Sequence, residues 1–479
     1  MRQPRCRLST ICIILFIIFA LIQTYRLFTT RSSDSLAKFY DHIETYEEFI
    51  ERHTWNSVGY TVEQREQLYK LSKFIRRISS DTTDRIPTVP CISLEQKLIV
   101  LSAAASRIRY GHSITFVTVS PSNFDRVLNY NVSMRFIELI KLQLWCIFQD
   151  GSVTPIYDHQ VVHGDERASI FDCSVPDTPR NELWSQNRKI RVYVASLHSA
   201  DHRRHRPIFK AWISVPTLGP VPPHETRYQL TLCTSPLHNQ NSYIAQWIEY
   251  HRSIGFRKFV IYNTTDVSDG LRQIVDVYTR KYPNLVDVVQ WNFSSIGLKD
   301  PKQRRYFQVE AVHDCFIRYG DQSEWLAMLD LDEYLVLSAS YRTVRDYLIE
   351  NFGRETLGSI NIWSQFFCTE HSNYTTENEN NKKNLVIERF TWRSNIVHKN
   401  GREKYLYRPR FVQYLSIHHQ LNGLNKINIP NNALKLAHYG SLETIRLFPG
   451  CEENTHVNDT SIRDRFAKMI RSAMKYLFE

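Results

Sequence analysis

The 479-residue sequence has no close Cys-x-x-Cys pair, no internal repeat and only one dense run of basic residues. The first absence excludes zinc knuckles, which need paired thiolates at short spacing. The second excludes a repeat architecture. The basic run, Arg203, Arg204 and Arg206 with His202 and His205, is short. No aromatic platform or recognition-helix pattern accompanies it, so it reads as a solvated loop and no nucleic-acid partner is expected. The formal charge of +11 is otherwise spread along the chain, which suits anionic ligands and a merely soluble basic surface alike.

Hydrophobic residues at 42% and aromatics at 13% are enough to fill cores, which excludes extensive disorder. The length exceeds one ordinary core and implies two domains behind an anchor. Arg2, Arg5 and Arg7 precede an apolar, charge-free run at residues 8–25. At ~1.5 Å per residue the run just spans a thin bilayer of the early secretory pathway. Basic residues ahead of it favour a cytoplasmic tail at 1–7, although Arg26 and Arg31 behind it weaken that bias. A cleaved signal peptide competes, but Phe19-Ala20-Leu21-Ile22-Gln23 lacks a small-x-small cleavage site. An uncleaved anchor with a lumenal body is the favoured reading.

Cysteine and asparagine usage agrees with a lumenal body. Cys6 and Cys12 lie in or before the anchor; Cys91, Cys146, Cys173, Cys233, Cys315, Cys368 and Cys451 are scattered singly. In an oxidising lumen they read as a few disulfides plus one odd thiol. Sequons begin at Asn131, Asn263, Asn292, Asn373 and Asn458.

Residues 26–90 read as a polar stem with helical patches at Tyr46–Arg52 and Glu63–Arg77. Residues 91–218 carry short, branched apolar runs, namely Lys97–Ala103, Ser113–Val119, Leu142–Phe148, Ile190–Ala195 and Phe209–Val215. They predict a β-rich domain in which Cys146 and Cys173 clip a hairpin-like segment. Pro216, Pro220, Pro222 and Pro223 mark a linker. Across 226–445 strands alternate with helices: Tyr228–Cys233, Asn241–Ile254, Lys258–Tyr262, Asp269–Lys281, Val286–Trp291, Lys302–Tyr319 and Glu324–Leu329. That rhythm predicts an α/β domain with a largely parallel sheet, whose ligands gather at the carboxyl ends of the strands. Cys368–Asn384 reads as a loop, and 446–479 as a tail with a helix.

The sharpest local feature is Trp325-Leu326-Ala327-Met328-Leu329 followed by Asp330-Leu331-Asp332-Glu333. An apolar strand abruptly delivers three carboxylates. Alternation along an extended chain sends Asp330 and Asp332 to one side. Two such carboxylates repel unless a cation sits between them, and hard oxygen ligands suit Mg²⁺ or Mn²⁺ bridging to phosphate oxygens. The bland alternative is a solvated, helix-capping turn.

The segment from Tyr228 to Ser441 resembles glycosyltransferase family 92 in an ordered series of motifs. These are Cys233-Thr234-Ser235-Pro236, Trp247-Ile248-Glu249-Tyr250-His251 and Gly255 through Asn263, then His313-Asp314-Cys315 and Asp330-Leu331-Asp332-Glu333. Lys404-Tyr405 to Arg408-Pro409 and Leu436-Ala437-His438-Tyr439 complete the series. The resemblance implies a GT-A type, Rossmann-like catalytic domain behind a β-rich lumenal domain, in a Golgi membrane protein of single-pass type II topology. It also implies inverting transfer of a hexose, galactose from UDP-galactose, to a glycan or glycoprotein acceptor such as fucose, with Mn²⁺ or Mg²⁺.

Site roles follow on that basis. Asp330 and Asp332 hold the metal, with His438 as a third ligand; His418 and His419 are alternatives. Lys404 and Arg408 put cations on the phosphates, and Ser235 and Asn263 line the nucleotide pocket, which requires Asn263 to be unglycosylated. The nominated general base is Glu370, with Glu403 and Glu388 as rivals. Glu249 is expected to pair with Arg252, and Glu333 to support the metal site from behind its ligands. Two other classes compete: a lumenal glycan-binding protein of the same fold, and a metal-independent glycoside hydrolase.

Overall fold

The computed structural model describes the chain from Ile92 to Glu479, apart from connecting segments. Outside the description lie residues 1–91, 95–97, 107–112, 120–143, 149–152, 164–165, 176–188, 197–212, 217–227 and 238–240. So do 265–269, 292–306, 354–355, 369–383, 400, 419, 430–431, 441–450 and 452–455. The expected anchor at 8–25, the stem, Cys91, Glu370 and His419 therefore fall outside it. Among the described residues no helix is long and apolar enough to cross a membrane.

The first domain is an eight-stranded antiparallel sheet. Its strands are Ile92–Leu94 (β1), Leu98–Ser106 (β2), Ser113–Val119 (β3), Leu144–Phe148 (β4), Val153–His163 (β5), Glu166–Ser174 (β6), Lys189–Ser196 (β7) and Ile213–Pro216 (β8). Their spatial order is β1-β2-β3-β6-β5-β4-β7-β8. A disulfide joins Cys146 on β4 to Cys173 on β6. Those strands flank β5, in which Thr154 pairs with Cys146 and Ile156 with Cys173. In a flat sheet the two outer strands would stand ~9.6 Å apart, yet these Cα atoms are 6.2 Å apart. The sheet therefore folds over at β5. The expected hairpin clip is instead a bridge across the crease.

The second domain alternates as its sequence predicts. Tyr228–Thr234 (β9) is followed by Asn241–Ser253 (α1), Lys258–Asn263 (β10), Leu271–Lys281 (α2) and Val286–Gln290 (β11). Gln308–Gly320 (α3) precedes Ser323–Leu329 (β12) and Glu333–Leu337 (β13). Val344–Phe352 (α4), Ser359–Ile362 (β14), Ser364–Phe366 (β15), Val386–Arg389 (α5) and Trp392–Ser394 (β16) come next. The chain ends with Lys404–Tyr407 (β17), Val412–Leu415 (β18), Gln420–Gly423 (β19), Lys426–Asn428 (β20), Leu434–His438 (β21), His456–Asn458 (β22) and Ser461–Phe478 (α6).

Seven strands form the main sheet in the order β11-β10-β9-β12-β17-β14-β20. The first four are mutually parallel, and β17 runs antiparallel between β12 and β14. Both faces are covered, and period-2 alternation sorts the side chains between them. Leu230, Leu232, Phe259, Ile261, Trp325 and Ala327 pack with residues of α1, α2, α4 and α6. Cys233, Val260, Tyr262, Leu326 and Met328 pack instead with Val309, Val312, Cys315 and Phe316 of α3. A disulfide from Cys233 to Cys315 ties that helix to the sheet. The far side of α3 is covered by the first domain, through Ala104, Val117, Ala168 and Ile170. A third disulfide, Cys368–Cys451, lies against Phe366 and Trp392.

Candidate functional site

The strand β12 is apolar to its last residue, and the chain then turns. The N–H of Glu333 donates to the carbonyl of Asp330 at 3.1 Å, closing a tight turn over Leu331 and Asp332. This corrects the expected extended geometry: the turn, rather than strand alternation, buries Leu331 while leaving Asp330 and Asp332 partly open. The side chain of Asp330 is 33% exposed and that of Asp332 19%. Glu333, by contrast, is 1% exposed.

Three elements converge on this turn. From β9, the N–H of Ser235 donates to the carbonyl of Leu329 at 3.3 Å, and its hydroxyl hydrogen-bonds the Asp330 carboxylate. From β17, the Lys404 ammonium lies 3.2 Å from Asp330 Oδ2 and 3.2 Å from Glu333 Oε2. From β21, which pairs with β13 so that His438 opposes Glu333, His438 Nε2 comes within 3.5 Å of Asp332 Oδ2. Its Nδ1 is 3.8 Å from Glu333 Oε1. The next residue, Tyr439, donates its N–H to the carbonyl of Asp332 at 2.7 Å. Glu333 Oε2 also accepts from the N–H of Asp330 at 2.9 Å.

The electrostatics follow from this crowding. Burial works against ionisation of Asp330, but Lys404, the Ser235 hydroxyl and His438 outweigh it and hold that carboxyl well below its usual range. Burial pushes Glu333 up to about 7, with Lys404 opposing and Asp330 adding to the rise. Burial also opposes the charge on Lys404, yet Asp330 and Glu333 hold it above an ordinary lysine. For His438, burial is outweighed by Asp332, and its value is raised.

The remaining expected residues divide. Asn263 closes β10 at the same carboxyl edge, is 2% exposed, and donates its amide to Gln290 at 3.2 Å. Burial of that kind leaves no room for a glycan on the folded protein. Arg408 does not join the site. Because β17 is antiparallel to β12, with Tyr407 opposite Leu326, Arg408 falls at the opposite end of the strand and stacks over Trp325 at 4.8 Å. His418 bonds the carbonyl of Glu403 through Nδ1 at 2.9 Å. Glu388 caps α5 and meets Arg471. Glu249 pairs with Arg252 at 2.6 Å.

Sequence reasoning missed the role of the Trp247–His251 motif. β13 is an edge strand of the three-stranded sheet β13-β21-β15, so one row of its backbone groups lacks a strand partner. Helix α1 supplies the partners. Trp247 Nε1 donates to the carbonyl of Glu333 at 3.1 Å, and the Tyr250 hydroxyl to that of Leu335 at 2.9 Å. His251 Nε2 accepts the N–H of Leu335 at 3.3 Å. Spacings of three and four residues put all three on one helix face, and this was the legible signal.

Among the described residues no three His, Cys, Asp or Glu side chains are close enough to hold a metal by themselves. Two partly open carboxylates beside a histidine fit a hard divalent cation that shares its coordination shell with a substrate's phosphates.

Comparisons with known proteins bear on the family. A glycosyltransferase family 92 protein of Ricinus communis is 25% identical over 173 residues, covering 35% of this chain and 27% of that protein. Another, from Oryza sativa subsp. japonica, is 22% identical over 214 residues, or 44% and 33% of the two chains. The chain thus matches a third or less of the length of these relatives. A mannosyltransferase of Pyrobaculum calidifontis, solved with GDP-Man and Mn²⁺, is 14% identical with a TM-score of 0.26, covering 47% of this chain and 62% of that one. The profile of glycosyltransferase family 92 matches residues 228–475, just over half of the chain and the whole run from β9 into α6. The chain belongs to glycosyltransferase family 92.

Proposed function

We propose that the chain transfers a hexose from a nucleotide sugar to a glycan acceptor, with UDP-galactose as donor and inversion at the anomeric carbon. The observation that carries this reading is that one turn at the carboxyl end of four parallel strands, where α/β sheets bind ligands, carries both Asp330 and the Asp332 carboxylate 3.5 Å from His438. The same topology, with β17 inserted antiparallel, supports a GT-A type fold. Asp330 and Asp332 would hold Mn²⁺ or Mg²⁺, which when bound neutralises the charge that grows on a departing nucleotide. Ser235 and Lys404 orient the Asp330 carboxylate, and Tyr439 and His438 hold Asp332. Inverting transfer also needs a base at the acceptor hydroxyl. Glu370, which follows β15 in the chain and lies outside the described residues, keeps that nomination from the sequence alone.

The test is a panel of UDP- and GDP-hexoses with the full chain and Mn²⁺. UDP-galactose should be turned over, EDTA should stop the reaction, and Asp332→Ala should lower the rate by roughly 1000-fold, as expected for losing several kcal/mol of charge stabilisation. Turnover that survives both treatments overturns the metal-dependent reading. A folded protein that binds glycans but turns over no donor would be a carbohydrate-binding relative. We further propose a Golgi location with residues 8–25 as the anchor, supported by the charge-free run and by three disulfides. A C-terminal tag should then be protected from protease in sealed microsomes; its digestion would refute that topology.

A further inference from the structure

Lys404 is an unusual neighbour for a cation site. It begins β17, a strand enclosed between β12 and β14, and its side chain is 3% exposed. Its ammonium is equidistant, at 3.2 Å, from Asp330 Oδ2 and Glu333 Oε2. The stem of a lysine held this way cannot swing into solvent when a second cation arrives. Glu333 Oε2 is committed twice, to Lys404 and to the N–H of Asp330. Glu333 is thereby turned toward the protein, and the partly open carboxylates are Asp330 and Asp332.

We propose that Lys404 is a resident cation that makes divalent-metal binding depend on the donor's diphosphate. The inference rests on the metal-dependent reading above and deepens it. One ammonium within hydrogen-bond range of Asp330 offsets one of the carboxylate charges that would attract the metal. It also repels any dication bound to the same carboxylate, since like charges a few ångströms apart in a partly buried site interact strongly. The protein alone is therefore a weak metal site. A nucleotide diphosphate brings at least two negative charges and the oxygen ligands that the side chains do not supply. Metal and nucleotide then bind as one unit, and by linkage each tightens the other by the same factor. Such coupling keeps the site from filling with metal unless a donor is present.

The experiment measures Mn²⁺ binding to the full chain at fixed pH, from the electron paramagnetic resonance signal of free Mn²⁺, with and without saturating UDP, and with GDP as a second probe. In the wild-type protein the nucleotide should tighten Mn²⁺ binding at least ~10-fold. Lys404→Met should bind Mn²⁺ alone at least ~10-fold tighter than wild type, and its nucleotide effect should shrink below ~3-fold. Lys404→Arg, which keeps the charge, should behave as wild type. A folded Lys404→Met protein with wild-type Mn²⁺ affinity overturns the proposal. Should that variant not fold, the wild-type measurement still decides: equal Mn²⁺ affinity with and without either nucleotide overturns it. Asp332→Ala separates the two levels of the argument. Loss of binding in that variant with no effect of Lys404→Met refutes the coupling alone, whereas unchanged binding in Asp332→Ala refutes the metal site itself.

Discussion

Lys404 and Arg408 are four residues apart on one segment, yet they belong to different parts of the molecule. A strand of that length spans ~13 Å. Antiparallel pairing with β12 puts Lys404 beside the carboxylate turn and Arg408 over Trp325, near the strand's start. Their substitutions should therefore separate. Arg408→Ala removes a partly exposed cation–π contact and should cost about 0.5–1 kcal/mol of stability, with nucleotide affinity changed less than ~2-fold. Lys404→Ala strands two carboxylates around an empty position and should cost roughly 3–5 kcal/mol. Thermal unfolding together with UDP titration of both variants would check this; equal effects on nucleotide affinity would contradict the register.

At the scale of elements, α1 acts as a surrogate strand for the open edge of β13. His251 is the most exacting of its three contacts. Its Nε2 accepts the Leu335 N–H, and its Nδ1, facing the carbonyl of Trp247 at 2.9 Å, carries the proton. The ring is therefore neutral, and burial drives its pKa down to about 3, with the Trp247 carbonyl opposing. The unfolded chain, with an ordinary histidine near 6.5, binds the extra proton first. The stability from neutral His251 is thus fully present above pH 6.5 and is lost as pH falls toward 3, by at most about 1.4 kcal/mol per pH unit. His251→Gln should remove that slope. The check is urea midpoints of both proteins between pH 7 and 4; parallel curves would refute it.

The turn that follows the same helix contains Gly255, whose φ of +113° suits few other residues. A Cβ there would stand 2.9 Å from that of Thr343, the N-cap of α4, whose box with Asp346 starts that helix. Gly255→Ala should destabilise by roughly 1–3 kcal/mol from the backbone term alone, read as a fall in thermal midpoint.

For the whole molecule, the first domain shares a core with the second rather than hanging from it as an appendage. Asp314 on α3 is fully buried and bonds Ser102 of β2, Arg318 and, at 2.6 Å, the Tyr262 hydroxyl of β10. One carboxylate thus ties the first sheet, the helix and the main sheet together. Around it, Ala104, Val117, Ala168 and Ile170 cover an apolar face of α3 that the family-matched segment leaves open. A chain beginning at residue 226 should consequently bind hydrophobic dyes and aggregate, while the chain from residue 92 stays monodisperse. A soluble, cooperatively melting fragment from 226 would show that the first domain is dispensable for folding.

Much of this was legible beforehand because it depends on neighbours in the chain. The β9-to-β12 alternation, the parallel sheet, the carboxylates at a strand end and the Glu249–Arg252 pair all follow from local periodicity. The strands β5 and β6 were not legible, since Val153–His163 and Glu166–Ser174 mix polar and apolar residues without a clear period. Nor was the function of the Trp247–His251 face, whose partners lie 84 to 86 residues away.

What the sequence determines by itself is therefore the class of fold and the place where acid residues emerge from it. Only the tertiary structure decided which cations meet those acids. Lys404 reaches Asp330 across 74 residues because β17 enters the sheet antiparallel, and that same reversal carries Arg408 away. Register between distant strands is set by packing both faces of the sheet at once, and no window of local sequence contains that constraint.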